Sequence, residues 1–90
     1  MNRTGYRAVD DAVADEVRAE IKRNPAVSVK GIAEALGMRR ATLSHRVNGH
    51  IPFAPSLLAA VATELGMTAS EIVARAERAT GEHARTEAAA

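Results

Sequence analysis

Between Ser28 and Gly66 no helix-periodic apolar segment lasts more than about ten residues before a glycine closes it, at Leu36-Gly37, Asn48-Gly49 and Leu65-Gly66. Helices that short do not persist alone in water, because the first turn is costly to nucleate and only docking holds it. The chain must therefore assemble several short helices that support one another. Its 90 residues, 47% hydrophobic and 26% charged, are enough for one modest core. That excludes a two-domain enzyme and a substrate-enclosing barrel. Cysteine is absent, which removes disulfides, thiolate metal sites and cysteine nucleophiles. No run approaches the ~20 apolar residues of a membrane span, and Met1-Asn2-Arg3-Thr4 leads into mixed charge rather than a signal peptide, so a cytoplasmic setting is expected. The only aromatic residues are Tyr6 and Phe53, too few to stack single-stranded bases.

Val9, Val13, Val17 and Ile21 recur every four positions among charged residues, which predicts an amphipathic helix from about 8 to 23. Its acids come early and its bases late, as the helix dipole favours, and Asn24-Pro25 ends it. Ser28 is a cap for a second helix carrying Ile32, Ala33 and Leu36, stopped by Gly37. A third is expected from about 39 to 48 with Leu43 and Val47 facing the core. Pro55 suits the first position of a fourth, with Leu58, Val61, Ala62 and Leu65 at helical spacing. Thr68-Ala69-Ser70-Glu71 reads as a capping box for a fifth that carries Ile72, Val73 and Ala76 to about residue 79. After Thr80 the chain turns polar and a frayed tail is expected. The reading is all-α: five short helices in one domain over 1–80, with 81–90 as a flexible tail.

Charge is uneven along this frame. The net charge is +1, yet all 11 carboxylates lie at or before Glu34 or at or beyond Glu64. Between them stand only Arg39, Arg40 and Arg46, with His45 and His50. A purely cationic segment in a near-neutral chain suits an anionic partner; the bland alternative is a solvated helix face that happens to lack acids. Gly37-Met38 joins the second helix to the third in a helix-turn-helix, with the small Ala33 where they cross and Met38, Ile32, Leu36 and Leu43 burying the unit. The start of the third helix then faces outward, bearing Arg39, Arg40 and Thr42. The major groove of B-form DNA admits one helix, and arginine matches guanine O6 and N7 with two parallel hydrogen bonds.

The stretches SVKGIAEALGM, TLSHRVNGHIPF and LLAAVATELGMTASEI, spanning Ser28 to Ile72, resemble the Cro and phage-repressor type of helix-turn-helix, the XRE family with its lambda-repressor-like fold. The resemblance covers about half the chain. It implies a helix-turn-helix unit at about 28–48 and places Arg40 and Ala41 where such proteins touch base edges, with His45 one turn later on the same face; Arg39 and Thr42, outward at the start of the helix, complete the base-contact candidates. It implies a phosphate contact from Lys30 and places Asn48 and His50 beside the backbone; Ser28, Ser44 and Arg46 are further backbone candidates, and such contacts fix register while base contacts carry sequence preference. Three positions depart from the family pattern. Arg39 stands where a serine cap is common, Val29 where glutamine is frequent, and Arg46 where an apolar residue is usual. If Val47 fills the core, Arg46 is free to reach DNA; otherwise its stem is buried and its head snorkels outward.

Other constellations have plainer accounts. His45 and His50 lie five apart across a glycine turn and His83 is distant, which is not metal-ligand spacing. Ser44 and His45 are sequence neighbours that point in different directions on a helix, not a nucleophile and its base. Phe53 reads as a plug under the fourth helix and Tyr6 as a flank of the first. Arg18, Lys22 and Arg23 read as solvated cations, with phosphate contact as the alternative. No nucleophile, metal set or phosphate-cradling loop marks an enzyme, and no cofactor or small-molecule substrate is implied.

The leading expectation is a sequence-specific regulator of double-stranded DNA, a small phage or prophage repressor or Cro-like protein acting by operator occupancy. A homodimer through the fifth helix is expected, since one recognition helix reads few bases. The length excludes a self-cleaving repressor with a second domain. Ten Arg to two Lys and abundant Ala hint at a high-GC genome. The rival is an antitoxin-like protein-interaction module whose residues 77–90 fold on a partner.

Overall fold

Local chemistry fixes where each helix begins and stops. In the computed structural model, which describes the backbone over residues 7–89 and side chains over 7–81, the elements are α1 (Ala8–Arg23), α2 (Val29–Leu36), α3 (Arg40–Val47), α4 (Pro55–Glu64) and α5 (Ala69–Ala89). No strand occurs among the described residues. Ser28 Oγ accepts the Gly31 N–H at 3.0 Å and caps α2. Thr68 and Glu71 form the reciprocal capping box: Glu71 N–H donates to Thr68 Oγ1 at 3.1 Å, and Thr68 N–H to Glu71 Oε1 at 3.0 Å.

The three glycines that follow α2, α3 and α4 close them in the same way. Gly37, Gly49 and Gly66 have φ of 68, 80 and 71°, a left-handed conformation that suits glycine. In each case the glycine N–H returns to the carbonyl three residues back and the next N–H to the carbonyl five back, the Schellman pattern. After α2 these are Gly37 to Glu34 at 3.1 Å and Met38 to Ala33 at 3.0 Å. After α4 they are Gly66 to Thr63 at 3.0 Å and Met67 to Ala62 at 2.9 Å.

The core sits where all five helices converge. Val17 of α1, Leu43 of α3, Val61 of α4 and Ile72 of α5 are fully buried, and Ile32 and Ala33 of α2 join them. Ala33 of α2 is buried in this cluster, and Phe53 packs against it, partly buried. Val47 is also buried while Arg46 is half-exposed, so Val47 is the core residue of the last turn of α3. Of all the helix pairs, α1 and α5 pack most extensively. Glu20 of α1 links them, accepting from Arg75 Nη1 of α5 at 2.7 Å as well as from Arg23 on its own helix.

One boundary differs from the sequence reading. Helix α5 runs on to Ala89, ten residues past the expected end near 79. The polar turn after Thr80 marks the end of the buried stripe, whose last buried residue among those described is Ala76, and not the end of the helix. Ala, Glu and Arg dominate 82–89 and no proline interrupts them, so backbone propensity carries the helix beyond its packing. Tyr6, expected to flank α1, lies outside the described residues.

Candidate nucleic-acid interface

The short link Gly37-Met38-Arg39 sets the geometry of the candidate surface. Gly37 turns the chain, Met38 folds back against the core, and Arg39 is extended (φ −71°, ψ 140°) as it enters α3. Leu43 and Val47 pin one side of α3 to the core, which leaves the other side to solvent. Arg39, Arg40, Ala41 and Thr42 are exposed at its start, and His45 is exposed one turn later. Ser28 and Lys30 are exposed at the start of α2, and Asn48 and His50 after α3, while Ser44 and Arg46 are half-buried. The fold thus leaves all eleven residues singled out in the sequence at least partly open to solvent.

Ion pairing distinguishes these cations from three of the other arginines. Arg18, Arg23 and Arg75 are each in an ion pair with Asp15 or Glu20. Among the described residues none of Lys30, Arg39, Arg40 and Arg46 has such a partner. No carboxylate lies in the sequence between Glu34 and Glu64 to neutralise the three arginines. Exposed, unpaired guanidinium groups beside a helix that a groove can admit are suited to phosphates and guanine edges.

Some of the polar groups already have internal partners. Asn48 Nδ2 donates to Ser44 Oγ at 3.1 Å, which ties the residue closing α3 to the side chain one turn earlier. Ser28 Oγ is occupied by its capping bond. Arg39 makes no side-chain cap, as its replacement of a hydroxyl residue led one to expect. The rings of His45 and His50 meet edge to face, centroids 5.8 Å apart. No group of three or more potential metal ligands occurs among the described residues.

Two features escaped the sequence reading. Arg18 is not simply solvated: its Nη1 donates to the Val47 carbonyl at 2.8 Å, across 29 residues of sequence. Only the tertiary fold brings them together, so no local signal announces it. Ile51 is 43% exposed beside His50, adding an apolar side chain to the loop that follows α3. Away from this face, Val9, Val13, Phe53, Leu58 and Val73 line an open groove of about 500 Å³. Among the described residues no single helix is long and apolar enough to cross a membrane.

No protein-family model matches the chain, and no curated protein sequence does. Among solved structures, the clp gene regulator ClgR from Corynebacterium glutamicum is similar, with a TM-score of 0.75 at 23% identity over 88% of this chain and 83% of that one. The two chains share an all-helical fold, with the helix-turn-helix of α2 and α3 within it.

Proposed function

We propose that this protein binds double-stranded DNA and regulates transcription by occupying an operator, with α3 as the recognition helix in the major groove. The observation that carries the reading is the exposed start of α3, where Arg39 and Arg40 stand without acidic partners. In this reading Arg39, Arg40, Ala41, Thr42 and His45 read base edges, while Ser28, Lys30, Ser44, Arg46, Asn48 and His50 hold the backbone. The likeness to a clp gene regulator supports a regulatory role. The resemblance to Cro and phage repressors supports a small repressor of phage or prophage type, working in the cytoplasm. Two copies, joined through α5, would meet half-sites about one helical turn apart on a two-fold operator. No catalytic step is involved.

Selection of bound duplexes from a random DNA pool tests this directly. The wild type should enrich one motif, and Arg40→Ala should relax preference at particular positions, since a good bidentate arginine–guanine pair is worth about 1–3 kcal/mol of discrimination. Retention of no duplex by the wild type would overturn the reading, as would identical motifs from both proteins for the role of Arg40. Sedimentation of the complex with an enriched site should give two copies per duplex.

A further inference from the structure

An eight-residue helix leaves its last four carbonyls without helical partners, and in α3 every one of them has found a donor. Ser44 O accepts from Asn48 at 2.9 Å, His45 O from His50 at 3.0 Å, and Arg46 O from Gly49 at 3.1 Å, all from the turn that follows. The last, Val47 O, is out of reach of that turn and takes the Arg18 guanidinium of α1 at 2.8 Å. Arg18 is held in place by Asp15, one turn earlier on α1, which pairs with its other terminal nitrogen. A cation at this end also complements the helix dipole.

From this we infer that Arg18, oriented by Asp15, is a positioning residue that sets the angle of the recognition helix, by tying the last carbonyl of α3 to α1. The inference rests on the DNA-binding reading above. Leu43 and Val47 are the side chains of α3 that the core buries, and apolar packing is non-directional, so it sets the depth of α3 more tightly than its angle. The Arg18 bond adds a directional restraint at the far end from Arg39 and Arg40. A small tilt there is carried along the rod to His45, Arg46 and the loop of Asn48 and His50. A helix with so few contacts loses specificity when its pitch is loose, because base-edge hydrogen bonds are sensitive to placement.

The test compares wild type with Arg18→Met, which keeps the apolar stem and removes the donors, and with Arg18→Lys, which keeps the charge and a donating nitrogen but not the planar fork that serves Asp15 and Val47 together. Each is measured for affinity to the wild type's enriched duplex, for position-resolved preference, and for the slope of log affinity against log salt. Arg18→Met should bind roughly tenfold more weakly with an unchanged slope, as loss of one charge-assisted hydrogen bond that touches no phosphate implies. Its preference should relax most at the base pairs read from the His45 end, and Arg18→Lys should fall between the two. Amide exchange in the free proteins should quicken at His50 and Ile51, whose N–H groups bond to His45 O beside the released carbonyl.

Wild-type affinity and preference in Arg18→Met would overturn the inference while leaving DNA binding intact. A slope reduced by about one would make Arg18 a phosphate ligand instead, and overturn it as well. Should Arg18→Met fail to fold, Arg18→Lys decides: wild-type preference together with unchanged exchange at His50 and Ile51 would refute the positioning role. A wild type that retains no duplex at all is a failure of the underlying functional reading, and is recognised as such before any variant is made.

Discussion

At the scale of single residues, the fold leans on a few positions where one atom type is needed. Gly37 has φ 68° and ψ 32°, and a Cβ there would meet nothing within 4 Å. The cost of Gly37→Ala is thus backbone strain alone, about 1–2 kcal/mol, read as a lower midpoint in urea with an unchanged slope. Leu43 is fully buried in the core cluster. Leu43→Ala should remove about 2–5 kcal/mol, a large part of the 5–15 kcal/mol typical of a domain, and calorimetry should find the variant partly unfolded near body temperature. Arg46 shows how one neighbour decides a side chain's task. Val47 takes the core position, and Arg46 beside it stays half-exposed.

At the scale of elements, the helix ends were legible because caps are local chemistry. Ser28, Gly37, Gly66 and the Thr68–Glu71 box each act within a few residues of themselves, so the sequence carries the whole instruction. Thr68→Ala should remove the cap on α5 at a cost of about 1 kcal/mol, measured as a drop in thermal midpoint of a few degrees, with the helical signal of the folded state retained. The far end of α5 was not legible from periodicity, because periodicity reports burial and the helix outlasts its buried stripe. Arg18 was illegible for a different reason: its acceptor lies on another helix 29 residues away. The exposed face of α3 was readable as a pattern of charge, but which of its side chains already serve the fold, as Asn48 and Ser44 do, emerges only from packing.

At the scale of the whole molecule, the ion pair network between α1 and α5 couples stability to pH. Glu20 is held below the ordinary carboxylate value, first by its hydrogen bond from Arg23 and then by that from Arg75. Its stabilising contribution is therefore complete above the unfolded carboxyl pKa, near 4.5, and is lost as pH falls through the lower folded value. Thermal unfolding from pH 7 to pH 3 should show a falling midpoint in the wild type, and Glu20→Gln should start lower and fall less steeply. The pairing of α1 with α5 has a further consequence, for biosynthesis. Of these five helices, α1 finds its most extensive partner in α5, which follows the other three in the chain, so α1 to α4 leave the ribosome before that partner exists. Ile72 and Ala76 of α5 belong to the same buried cluster as Leu43 and Val47, so the core that seats α3 is complete only once α5 has emerged.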